Sequence, residues 1–197
     1  MLMLFGMLAL NGAISLINAL AVGASWAETR AIGGWARFMS WCGAIMAACG
    51  FTWCYLTVFA MIAGSSGYLQ PEYVRAAMEL GYVVIIFPVL GSGIAIWVES
   101  IARAWRERDL ASVATAGWNT FAQVYNTYEA ASSLPGVFSH LGSVFDAEDA
   151  DDAKSRAIIA VLLLVLAASM AGILTTAVLI RISARSHASN MRAEYAR

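Results

Sequence analysis

Few residues in this chain are able to do chemistry, and most of those stand apart from one another. Between Leu110 and Phe145 one side chain alone, Glu129, carries a formal charge. If that stretch is embedded in lipid, Glu129 is the foremost candidate for a functional ionisable group, because charge inside a membrane is costly and tends to mark a pathway or relay. In water it would be an ordinary surface residue. Glu79 and Glu99 bracket another apolar stretch. The spacing predicts a ladder of i,i+4 pairs at its end, Glu99 with Arg103 and Arg103 with Glu107. His140 and His187 have no Cys, His or carboxylate at ligand spacing, so no metal is assigned to them. The acidic run Asp146, Glu148, Asp149, Asp151, Asp152 invites a calcium reading. An EF-hand loop needs Gly at its sixth position and Glu at its twelfth, but Asp151 and Ala157 stand there. The run therefore reads as a solvated acidic loop.

The three cysteines, Cys42, Cys49 and Cys54, share one apolar run with no C-x-x-C spacing. They read as small apolar packing residues and not as a disulfide framework or zinc site. No G-x-S-x-G, G-x-G-x-x-G or Walker sequence occurs. The chain is read as non-enzymatic, with no catalytic residue, cofactor or metal site.

Uncharged polar residues form the remaining pattern. Asn11, Ser15 and Asn18 lie on one helical face of an apolar segment, where amides and hydroxyls seek partners on other helices. Pro88 removes a backbone donor and is expected to kink its helix. Gly91 and Gly93 follow it, and a Gly/Pro-interrupted span can mark a transporter site. With Asn119, Gln123, Asn126 and Glu129 these residues make a candidate set of interhelical contacts or a polar path. Two rows of small residues are candidates for close helix packing. One is Gly43, Ala47 and Gly50, continued by Cys54; the other is Ala168, Gly172 and Thr176. They can serve contacts within the chain or between copies.

The elements that must position these residues follow from composition. Of 197 residues, 60% are hydrophobic and 13% charged, against roughly 25% charged in soluble domains. So little charge cannot clothe a water-soluble body, and a nucleic-acid partner would need a basic face that a net charge of -1 does not suggest. The expected fold is an all-α, polytopic membrane protein forming one transmembrane domain over 1–197. Spans are expected at about 2–22, 38–63, 80–98 and 157–180. Each is near the ~20 residues needed to cross the hydrocarbon core, and runs this continuous can satisfy their backbones in lipid only as helices. The first lacks the positive n-region of a secretory signal, so it reads as a retained membrane helix. Trp26, Trp35, Trp41, Tyr68, Tyr73, Trp97 and Trp105 fall near the segment ends, as an interfacial aromatic belt would.

Residues 110–145 are the difficult stretch. Val113, Gly117, Phe121, Val124 and Tyr128 fall on one helical face, and Thr115, Asn119, Gln123 and Asn126 on another. Pro135-Gly136 is expected to break this amphipathic segment. Asp151 or Asp152 is expected to cap the last span, which runs on into an Arg-bearing helical tail, 181–197. With four crossings, basic residues divide seven against five between the two sides. Were 110–134 to cross as well, they would divide nine against three, with the C-terminus on the positive, cytoplasmic side. Polarity argues against that crossing: such a helix can stand in lipid only if its polar face meets protein or a wet cavity. The segment is therefore expected to lie on or in the membrane, with a fifth crossing as the alternative.

The functional expectation is a structural subunit of a larger assembly in a bacterial inner membrane, of secretion, conjugation or envelope type. Membrane lipid and either further copies or other membrane proteins would be its partners. The alternative is a small oligomeric channel or transporter for ions or small molecules.

Overall fold

The computed structural model describes residues 2–146 and 152–195. All its regular elements are helices: α1 (Leu2–Ile32), α2 (Gly34–Ser65), α3 (Pro71–Glu107), α4 (Leu110–Phe145) and α5 (Asp152–Tyr195). Four of them, α1, α2, α3 and α5, are long and apolar enough to cross a membrane. The chain is an all-α, multi-pass membrane protein.

The helices outrun the apolar stretches that announce them. α3 has 37 residues, about 55 Å at 1.5 Å per residue, against a hydrocarbon core of about 30 Å. An uncharged run measures the oily part of a helix, while its hydrogen bonds continue into the headgroup region. The connections are correspondingly short. Gly33 and Gly34 have φ of 69° and 51°, a left-handed turn that closes α1 onto α2 with one residue between them. Trp26 and Trp41 meet edge to face across this hairpin, with ring centroids 5.5 Å apart. Pro71 opens α3 at the first helical position, where its missing N–H has no intrahelical partner to lose. Arg108 takes the left-handed conformation at the end of α3, and the Asp109 carboxylate then accepts the Ser112 N–H at 2.7 Å to start α4. Of the two expected caps for α5, Asp152 is its first residue and Asp151 lies outside the described residues, as do the other acidic residues between Asp146 and Asp152.

Packing is inverted relative to a water-soluble bundle. Large apolar side chains such as Ile17, Leu163, Ile173 and Leu174 point outward, while Ala19, Ala47, Ala76, Ala77 and Ala168 are buried. Lipid tails are as apolar as leucine, so burying leucine gains little. Close backbone approach and dispersion drive association instead. α2 is the hub, touching α1, α3 and α5, and α1 also packs on α5. Both small-residue rows are used inside the chain. A Cβ on Gly43 would overlap Val22 of α1, and one on Gly50 would overlap Ser15. Gly172 of α5 lies against the Thr52 and Ala48 backbone of α2. Leu56 of α2 is fully buried and fills the notch left by Gly81 of α3.

α4 does not break at Pro135-Gly136: one helix runs from Leu110 to Phe145. α3 likewise continues through Pro88. Both prolines are exposed on the outer side of their helices. At this depth no water would satisfy backbone groups freed by a break, so keeping the helix costs less than ending it. α4 returns antiparallel along the whole of α3, and α3 is the only helix it packs on extensively. The chain therefore re-enters at the far end. The start of α5 (Ala153, Lys154, Arg156) shares a groove with Gly67–Tyr73, and its end (Arg181, Ala184, Arg185) shares one with Trp26 and Trp41.

Candidate functional site, a polar seam between two antiparallel helices

α4 lies along α3 with Gln123 turned toward it. Val113, Phe121, Val124 and Tyr128 are exposed, the last at 73%, while Gln123 on the opposite face is 7% exposed. Asn119 and Asn126 are half-buried on that inner side, and Thr115 is exposed. An amphipathic helix in lipid minimises its cost by showing apolar and aromatic side chains outward and keeping amides against protein. Trp118, Phe121 and Tyr125 form a continuous ring contact on the outer face, at centroid spacings of 6.0 and 6.3 Å.

Three contacts fix the register of the seam. Near one end, the Trp97 indole N–H donates to Thr120 Oγ1 at 2.9 Å. This indole is half-buried against α4, whereas Trp105 beyond it is exposed. One turn on, Gly93 faces Gln123, and a Cβ there would sit 2.3 Å from the Gln123 Oε1. The absence of a side chain on α3 is what admits the amide. At the other end His140 Nδ1 lies 2.5 Å from Glu79 Oε2, and Arg75 Nε donates to Glu79 Oε1 at 2.8 Å. Sequence spacing left His140 without a ligand or carboxylate. Its partner is 61 residues away and becomes adjacent only through the antiparallel return of α4.

Two polar atoms are buried in the seam: Gln123 Oε1, which makes no hydrogen bond, and the Tyr82 hydroxyl, which lies beside Ser133. The polar neighbours of the Tyr82 hydroxyl are Glu129, Ser133 and Tyr125 of α4. Gln123 spends its amide N–H on Thr127 at 3.4 Å. The Glu129 carboxylate, half-buried, makes no hydrogen bond or ion pair among the described residues.

The other expected residues lie elsewhere. Ser15 is buried against Gly50 and donates to the Asn11 carbonyl at 2.8 Å, and the Asn11 amide donates to the Met7 carbonyl. Asn18 borders a groove of about 460 Å³ where α1, α2 and α3 meet, with Ser25, Thr29 and Ser40. Pro88 faces outward. Ser15 of α1 thus faces α2, Thr120 and Gln123 of α4 face α3, and one copy does not gather the candidate residues around a common lumen. Glu99 departs from the expected ladder. It accepts from Arg106 and from the Trp35 indole, each at 2.6 Å, while Arg103 pairs with Glu107 as its spacing predicts. The tie to Trp35 clamps the start of α2 to the end of α3, a contact that helical spacing cannot show. All three cysteines are free thiols, and Cys54 Sγ donates to the Leu8 carbonyl at 3.6 Å.

No family model, curated protein or solved structure matches this chain. Its functional reading therefore rests on the geometry above.

Proposed function

We propose that this protein is a non-enzymatic integral membrane subunit of a larger membrane assembly. The observation that carries the reading is the setting of α4. It is the one helix of the five that falls short of the apolarity needed to face lipid alone, and a single neighbour, α3, covers it. Beside its aromatic stripe, Thr115, Thr127, Ser132 and Ser139 remain exposed. Thr115, Thr127 and Ser132 donate to carbonyls of their own helix, which leaves their oxygens able to accept from a neighbouring protein. The small-residue rows of α2 and α5 are consumed within the chain, so α4 is the face that a further membrane protein, or a further copy, would meet.

Photo-crosslinking in native membranes tests this. A photoreactive residue in place of Tyr128 should give a discrete protein adduct. The same residue in place of Ile173, on the lipid side of α5, should not. Lipid adducts alone at both positions, together with a monodisperse monomer in mild detergent, would refute the proposal.

The charge asymmetry supports a finer placement. With α4 upright, Arg30, Arg37, Arg103, Arg106, Arg108, Arg181 and Arg185 share one end with the Arg-bearing tail, and Arg75, Lys154 and Arg156 share the other. Insertion from the cytoplasm leaves this signature. We accordingly place the protein in a bacterial inner membrane, with its N-terminus outside and its C-terminus inside.

A second reading, a channel or carrier, is favoured by one observation, the Glu129 carboxyl in the seam. Ion flux into liposomes containing the purified protein separates the two.

A further inference from the structure

An apolar groove and unpaired positive charge meet where α5 leaves its apolar stretch. Ala177, Arg181, Ala184 and Ala188 recur at steps of four, three and four, which makes them one stripe along α5. Trp26 of α1 and Trp41 and Ala44 of α2 line the same groove, whose volume is about 490 Å³. The groove exists because its lining is small. Alanines on α5, and Ala44 buried on α2, leave the space that leucines would fill. The two indoles, packed edge to face, form one wall. α5 is held in place beside it. A Cβ on Gly23 of α1 would stand 2.6 Å from the Ile180 carbonyl oxygen, and Ser183 Oγ donates to the Leu20 carbonyl at 2.7 Å.

The charge on this groove is of one sign. Arg181 is the first charged residue after the apolar stretch 157–180, and Arg185 follows one turn later. Both border the groove, both are exposed, and no acidic residue lines it. Arg75, Arg103 and Arg106 each hold a carboxylate, whereas Arg181 and Arg185 pair with none among the described residues. The groove also crosses a boundary. From Ala177 to Ala188 is about 16 Å along the helix at 1.5 Å per residue, so it begins beside acyl chains and ends among headgroups. Indoles favour that level. A free anion would use the arginines and leave the apolar length empty. A phospholipid uses both: its phosphate takes charge-assisted hydrogen bonds from guanidinium groups, and its chain covers the alanines. A zwitterionic headgroup would bring its own cation to the arginines, so a lipid of net negative charge fits better.

We propose that this groove binds one anionic phospholipid, its phosphate on Arg181 and Arg185 and an acyl chain running inward past Ala177 and Ala44. Basic pockets between membrane helices are suited to such headgroups. The site does not involve the outer face of α4, so its failure would leave the assembly reading untouched.

The test titrates the full chain, stripped of lipid in a non-ionic detergent, with dioleoyl phosphatidylglycerol and counts bound lipid by native mass spectrometry. One molecule should bind ahead of any other, and about fivefold or more tightly than dioleoyl phosphatidylcholine. An arginine near anionic headgroups is worth about a fivefold change in affinity, so Arg181→Gln with Arg185→Gln should weaken binding about thirtyfold. Arg30→Gln with Arg37→Gln removes the same charge at the same end but outside the groove, and should cost less than about fivefold. Ala184→Trp, which fills the groove and keeps both arginines, should also weaken binding. Equal affinity for the two lipids, equal losses in the two double variants, or unchanged binding in Ala184→Trp would overturn the proposal. Displacement of the lipid by inorganic phosphate at equal concentration would mark a free-anion site and overturn it as well. A photoreactive residue in place of Ala177 should give a lipid adduct in native membranes; a protein adduct there would assign the groove to a protein instead.

Discussion

Replacing Gly172 by alanine should push α5 off α2. The added Cβ would stand 2.6 Å from the Thr52 backbone nitrogen and 2.9 Å from the Ala48 carbonyl oxygen. A methyl group needs about 3.5 Å from such atoms, so the contact is short by roughly 0.6–0.9 Å. The Thr52 hydroxyl can rotate away, but helix backbone cannot. Ala168 and Thr176, buried one turn to either side, must separate with it. Overpacking of this kind costs about 1–3 kcal/mol, which is about fivefold to over a hundredfold in the folding equilibrium. Gly91→Ala is the matched control. It makes the same chemical change in a helix, but no atom lies within 4 Å of the new Cβ, so only the helix-propensity gain of up to about 1 kcal/mol remains. Unfolding in mixed micelles with a rising fraction of a denaturing detergent provides the assay. Tryptophan fluorescence reports it, because Trp53 packs on the Leu56–Val165–Ala168 cluster. Gly172→Ala should move the midpoint down and Gly91→Ala should leave it level or raise it. Coincident midpoints would refute the claim that close backbone approach holds this interface.

Three further outcomes follow from the same geometry. Single cysteines at Ser66 and Ala188, in a background with the native cysteines replaced by alanine, should react with a membrane-impermeant maleimide from opposite sides; reaction from the same side would mean that α4 does not cross. His140→Ala should leave Glu79 to Arg75 alone and speed amide hydrogen exchange over residues 137–145, with a stability loss toward the low end of about 1.5–3 kcal/mol, because the pair is partly exposed. The Ser112 N–H holds the Asp109 carboxyl below its ordinary value. A carboxyl depressed in the folded state contributes stability that is full above the unfolded value near 4 and is lost as pH falls through the folded value. The folded-state stability of the native chain should therefore decline on acidification more steeply than that of Asp109→Asn, and parallel declines would contradict this.

Glu79 shows why part of the site escapes a reading by spacing. Its i,i+4 neighbour Arg75 is visible on a helical wheel. Its other partner, His140, is brought to it only by the return of α4. Glu99 makes the same point through Trp35, 64 residues away. The amphipathic pattern of α4 was plain, with Gln123 and Tyr128 on different faces. Which face meets protein depends on the solvent. In water the Phe121 side would turn inward; beside α3 in a lipid setting the Gln123 side does. The small rows around Gly50 and Gly172 announced close packing without naming the helix they receive.

The chain alone determined its solvent, its helical character and the position of its four apolar spans. Those are local properties: an uncharged run of sufficient length has to satisfy its own backbone, and a helix is the way to do so. Only the tertiary structure decided that α4 runs unbroken along α3, that His140 meets Glu79 and that Gln123 fills the space beside Gly93. Each depends on which helix lies alongside which, and in what register, and that is set by side chains far apart in sequence whose complementarity no single segment contains.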